Sequence, residues 1–209
     1  MGAENGGRRR QPVLDRRGPS ELATLPVDLA AAETAAADLL TALGADIESD
    51  HLRETPRRVA AAYAELLTPV PFTATTFPND GEYDELVLVR DIPFRSLCAH
   101  HLLPFFGTVH VAYLPGERII GLSKLGRVVD LFARDLQIQE RLTAQVAAWL
   151  EENLAPRGVG VIAEAEHLCM SLRGVQKPGA VTVTSALRGV VKDDPRTRQE
   201  FIGLVGANR

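Results

Sequence analysis

Leu86-Val87-Leu88-Val89-Arg90-Asp91-Ile92 and Thr108-Val109-His110-Val111-Ala112-Tyr113 decide the fold of this chain. β-branched and aromatic side chains crowd both runs, which is how strands read. The pattern returns downstream. Gly158 to Cys169 alternates as a strand, and Ala180 to Ala186 interleaves Thr and Val as another. Two helical stretches lie between the strand pairs. One covers 124–134 and can be capped by Ser123; the other runs from Gln139 to Leu154 with Leu142, Val146, Trp149, Leu150 and Leu154 on one face. Pro115-Gly116 is a turn, Ile119-Ile120 a short strand, and Asp194-Pro195 opens a last helix through Leu204. Strand pairs flanking a helical pair predict an α+β fold, an antiparallel sheet with helices packed on one face.

Working outward, Val27 to Leu43 is rich in Ala and Leu. Leu29, Ala36, Leu39, Leu40 and Leu43 recur at helical spacing, and Gly44 is a natural stop. A second helix starts near Thr55-Pro56, with Val59, Tyr63, Leu66 and Leu67 as its stripe. Residues 68–82 read as a loop. The stretch 1–25 reads as a disordered basic tail, because Arg8-Arg9-Arg10 and Arg16-Arg17 repel one another. The chain thus divides into this tail, an N-terminal helical region at 26–83, and a sheet-bearing domain at 84–209 that carries the chemistry.

With 209 residues, 45% hydrophobic and 24% charged, the chain can bury a sizeable core as a soluble globular protein. A net charge of -4 argues against a general nucleic-acid partner. No apolar run is long enough to span a membrane. The N-terminal arginines are followed by no apolar core, so no secretory signal is read and a cytoplasmic location is expected.

In a reducing compartment, the only two cysteines favour metal binding or catalysis over a disulfide, although the pair could still meet in space. Cys98-Ala99-His100-His101 and His167-Leu168-Cys169 give Cys-x-x-His plus a remote Cys. Three thiolate and imidazole ligands leave an open corner on a tetrahedral zinc, the mark of a catalytic rather than a structural site. The bland alternative is two buried cysteines beside a surface histidine pair. His100 and His167 flank the proposed ligands. Their near-neutral pKa suits proton transfer; the alternative makes one of them a metal ligand or a partner to one. His110 and His51 read as structural or surface residues.

Gly121-Leu122-Ser123-Lys124-Leu125-Gly126-Arg127 places two cations one turn apart at a helix start, where an anion is favoured. Lysines and arginines on a helix face are more often simply solvated. Glu140 begins the next helix, where a carboxylate suits the dipole and could also accept two N–H bonds from a guanine edge.

Together, Cys98-Ala99-His100-His101, Gly121-Leu122-Ser123-Lys124, Gln137 to Thr143, His167-Leu168-Cys169-Met170 and Arg173-Gly174-Val175 resemble GTP cyclohydrolase I over roughly residues 27–205. The resemblance implies a tunnelling fold (T-fold) whose subunits join their sheets, and a homodecamer of two pentamers. It implies conversion of GTP and water to 7,8-dihydroneopterin triphosphate and formate, the first step of a tetrahydrofolate, pterin or related specialised pathway. Zinc would be held by Cys98, His101 and Cys169 and would activate water against C8 of the purine. His100 and His167 would move protons, and Ser123 would lie near the ribose. Gln139 and Glu140 would recognise the purine. Arg58, Lys124, Arg127 and Arg173 would meet the triphosphate, some across a subunit boundary. Two positions depart from the family pattern: Ala99 stands where Glu is usual, and Ala61 where Lys is frequent. Rival readings are a related T-fold nitrile reductase with a nucleophilic cysteine and no zinc, or a silent oligomer braced by metal.

Overall fold

The structure, a computed structural model, describes residues 26–207; the basic tail expected at 1–25 lies outside the described residues. Helix α1 (Leu29–Ala42) starts where the Asp28 carboxylate accepts the Ala31 N–H at 2.9 Å. Helix α2 (Thr55–Leu67) carries Pro56 in its first turn, where the N–H that proline lacks has no intrahelical acceptor anyway. The pair packs together. Of the apolar stripe on α1, however, Ala36 alone is buried, while Leu29, Leu39 and Leu43 face solvent.

From there the chain runs through β1 (Thr76–Pro78), β2 (Val87–Cys98), β3 (Pro104–Leu114), β4 (Arg118–Ile120), α3 (Leu122–Ala133), β5 (Leu136–Gln137) and α4 (Gln139–Leu154). It continues through β6 (Gly158–His167), α5 (Leu168–Ser171), β7 (Val181–Arg188), α6 (Gly189–Asp193) and α7 (Pro195–Gly206). The main sheet has the order β5-β2-β3-β6-β7, and β1 pairs with β4 in a small second sheet. That small sheet ties the N-terminal region to the larger domain. All main pairings are antiparallel except β5 on β2, so the sheet is mixed rather than purely antiparallel.

Local expectations are met with specific exceptions. Strand β1 falls inside the segment expected to be loop, and the two-residue β5 has no sequence period to reveal it. Helix α3 begins at Leu122 with Gly121 as its N-cap and no side-chain cap bond; Ser123 sits inside the first turn rather than capping it. The strand expected to run to Cys169 stops at His167, and Cys169 rides on the single turn α5.

The core occupies the face of the sheet covered by α3 and α4. Leu125, Val128, Val129 and Phe132 of α3, and the expected stripe Leu142, Val146, Trp149, Leu150 and Leu154 of α4, bury against Val109, Val111, Val159 and Val161. Each such side chain contributes roughly 1.5–3 kcal/mol by leaving water. The expectation of helices on one face is corrected by α6 and α7. Val191, Phe201 and Val205 pack with Ala112, Ile162 and Leu187 on the opposite side of the strands. The Phe201 ring fills space that a Cβ on Gly160 would need, at 2.8 Å. A register shift between Val89 and Ile92 bulges β2, with Asp91 at φ 56°. There the buried His110 accepts the Asp91 backbone N–H on Nδ1 at 3.2 Å, so His110 is structural.

Candidate metal centre and cleft

Three parts of the main sheet meet at the site. Strand β2 ends at Cys98 and turns back into β3; β6 ends at His167 and gives way to α5; α4 begins beside both. The turn after β2 is tight. The backbone N–H groups of His101 and Leu102 both donate to the Cys98 carbonyl, and the Cys98 N–H donates to the Leu103 carbonyl at 2.9 Å. Leu102 takes a left-handed conformation at φ 55°, unusual for a leucine. From α2, the Tyr63 hydroxyl donates to the Leu102 carbonyl at 3.1 Å and anchors this turn to the N-terminal helices.

This folding brings the three expected ligands together. Donor atoms of Cys98, His101 and Cys169 all lie within 4.8 Å of one another. The Cys98 sulfur is 3.8 Å from His101 Nδ1 and 4.0 Å from the Cys169 sulfur. A tetrahedral zinc, with bonds of about 2.3 Å to sulfur and about 2.0 Å to nitrogen, sets the sulfur–nitrogen edge at roughly 3.5 Å and the sulfur–sulfur edge at roughly 3.8 Å, each within a few tenths of an ångström of these distances. The donor set therefore fits a metal of that size, and both cysteines are free thiols. Burial, and then the adjacent Cys98 thiol, push the Cys169 thiol up, while Arg173 pulls it down. His100 Nδ1 also lies 3.9 Å from the Cys98 sulfur, but His100 is outside the three-residue group.

A cleft of about 230 Å³ opens beside this group, lined by Cys98, His100, His101, Gln139, Glu140 and His167 among others. His167 is half-buried. Burial holds its imidazole below the usual pKa, and the Glu140 carboxylate pulls the other way. The His167 ring stacks on Phe105, with centroids 4.6 Å apart and planes 2° from parallel, and its Nε2 meets Gln139 Oε1 at 2.8 Å. Glu140 is exposed in the first turn of α4, where the helix dipole favours a carboxylate. Ala99 donates its backbone N–H to the Gln137 carbonyl at 2.9 Å and brings no carboxylate to the turn.

The cation set is more dispersed. Ser123, Lys124 and Arg127 sit on the first turns of α3, Arg58 on α2, and Arg173 after α5; none of them lines the cleft within the single chain. A larger cavity of about 580 Å³ lies along the second half of β2, lined by Glu65, Arg95, Asp130 and Arg134 among others. It holds no thiol or imidazole, so size alone would misplace the site. Phe105 and Thr182 belong to the site but carry no readable signal. Phe105 meets His167 through strand register, and Thr182 acts through its backbone carbonyl.

Fold and site define an α+β protein with a thiol–imidazole group, able to hold a metal, beside a cleft. The family model for GTP cyclohydrolase I matches residues 32–206. The chain is 47% identical to GTP cyclohydrolase 1 of Rhodopirellula baltica over 209 aligned residues, covering 93% of this chain and 90% of that one. It is 55% identical to the Aquifex aeolicus protein of the same name, over 79% of this chain and 90% of the other. For the Mycolicibacterium vanbaalenii protein of that name the identity is 51%, over 88% and 94%. The chain belongs to the GTP cyclohydrolase I family.

Proposed function

We propose that this chain hydrolyses and rearranges GTP to 7,8-dihydroneopterin triphosphate with release of formate. The observation that carries the reading is the convergence of Cys98, His101 and Cys169 beside a cleft whose lining includes His167 and Glu140. In this reading Cys98, His101 and Cys169 hold Zn2+, which supplies a Lewis acid and water activated at neutral pH. The exposed Glu140 carboxylate accepts the two N–H groups on the Watson–Crick edge of guanine, a pairing only an acceptor pair can make. His100 and His167 move protons as the ring opens and formate leaves. Ser123 lies toward the ribose, and Arg58, Lys124, Arg127 and Arg173 neutralise the triphosphate.

The cations lie outside the single-chain cleft, and the leucines of α1 are exposed. Both facts support a homo-oligomer, a decamer of two pentamers, with sites completed between subunits. Residues 26–83 then form the N-terminal helical region and 84–209 the catalytic T-fold domain of a cytoplasmic enzyme. Ala99 and Ala61 motivate a specialised pterin-type or related pathway beside the tetrahydrofolate one.

The test is a product assay on metal-quantified protein. GTP should yield a pterin that fluoresces after oxidation; chelation should abolish it and zinc restore it. Light scattering on the same preparation should give a mass several times the 22.6 kDa of the chain. Zinc-loaded protein that leaves GTP unchanged defeats the reading.

A further inference from the structure

Gln139 is the first residue of α4 and only 2% exposed, in contrast to its exposed neighbour Glu140. Its amide is fully committed inside the protein. Nε2 donates to the Ala163 carbonyl at 3.0 Å and to the Thr182 carbonyl at 2.9 Å, groups on the paired strands β6 and β7. An amide nitrogen has two hydrogens, and both are used. Backbone carbonyls can only accept, so the amide cannot be turned over without setting its oxygen against two others. Oε1 therefore points at His167, 2.8 Å from Nε2. An oxygen with no hydrogen can only accept, so His167 Nε2 must carry the proton. Nδ1 is the nitrogen left for a ligand. Phe105, fully buried beneath the imidazole, fixes the plane of the ring as the amide fixes its rotation.

We propose that Gln139 is a positioning residue that sets the tautomer and orientation of His167, and that it does not read the purine. Recognition of the base then falls to Glu140 alone of this adjacent pair. The inference rests on the reading of His167 as the group exchanging protons with GTP. It changes what the first turn of α4 does. One residue points inward to hold the proton-transfer imidazole, and the next points outward to hold the substrate.

The test compares parent and Gln139→Met for GTP and for inosine triphosphate, which lacks the 2-amino group. Loss of positioning should lower kcat about 100-fold, the low end of what a placed acid–base group contributes. KM for GTP should stay within about threefold, and the preference for GTP over inosine triphosphate should be unchanged. A raised KM with kcat retained, or a relaxed preference between the two nucleotides, overturns the proposal. Gln139→Met takes a donor away from two strand carbonyls and can fail to accumulate as folded protein. Phe105→Leu therefore serves as a second variant, because it frees the ring while leaving the amide intact; it too should lower kcat and spare KM, and unchanged kcat tells against the proposal.

A readout independent of turnover is the ring nitrogen spectrum of 15N-histidine-labelled protein. The parent should show His167 as the Nε2–H tautomer, and Gln139→Met should show a mixture. A parent spectrum with the hydrogen on Nδ1 overturns the assignment even if GTP is turned over. A parent inactive on GTP but with the Nε2–H tautomer counts against the activity and not against the positioning.

Discussion

Gly107 shows how little room single residues have where two strands cross the site. A Cβ built there would lie 1.8 Å from the Glu164 carbonyl oxygen and 2.8 Å from the Ala165 Cα. Both are backbone atoms of β6, which no rotamer change can move. Gly107→Ala should therefore cost about 3 kcal/mol or more, the upper range for overpacking. Thermal melting would show a large drop or no folded protein; a melting temperature within a degree or two of the parent would mean β3 and β6 can separate freely. The candidate ligands Cys98, His101 and Cys169 were legible at this scale because thiol and imidazole side chains announce their chemistry wherever they stand. Phe105 was not, since a phenylalanine in a strand reads as core until register places it under His167. Gln139 was legible as a site residue through family resemblance, but its amide bonds depend on two carbonyls that sequence does not display.

At the scale of elements, α7 depends on its first residues. The Asp194 carboxylate accepts the Thr197 N–H at 2.8 Å and the Thr197 hydroxyl at 2.7 Å. The side-chain bond from Thr197 is the main cause holding this carboxyl below its usual pKa. A lowered folded-state pKa adds stability that is present above the unfolded value and lost as pH falls through the folded one. Asp194→Ala should therefore melt earlier than the parent at neutral pH, and the gap should close in acid below the ordinary aspartate range. An equal gap at both pH values would mean the carboxylate is not the capping group. The long helices were readable because their stripes run over several turns. Which face α7 covers was not, because the spacing of Phe201 and Val205 marks a buried side of the helix without naming the side of the sheet that receives it. The choice is made by Gly160, whose missing side chain leaves the hollow for Phe201.

For the whole molecule, the N-terminal helices are more than an appendage. Within the described chain, α1 leaves Leu29, Leu39 and Leu43 exposed, the last at 75%, and β7 leaves Val181 and Val183 exposed. These surfaces agree with the proposed assembly, in which a neighbouring subunit would cover the apolar residues left bare on the single chain. The other side of the helical pair reaches the turn after Cys98 through Tyr63. That contact has a thermodynamic consequence, because linkage between two events is reciprocal. If docking of α2 favours the left-handed turn at Leu102, it raises metal affinity by some factor, and the metal must tighten α2 by the same factor. Hydrogen exchange of the α2 amides should slow on metal loading in the parent, and Tyr63→Phe should erase most of that difference. Exchange unaffected by metal in the parent would mean no free energy passes between them. A partner or neighbouring subunit that pulled on α2 would then tune how firmly Cys98, His101 and Cys169 hold a metal, from a distance and without touching any of the three.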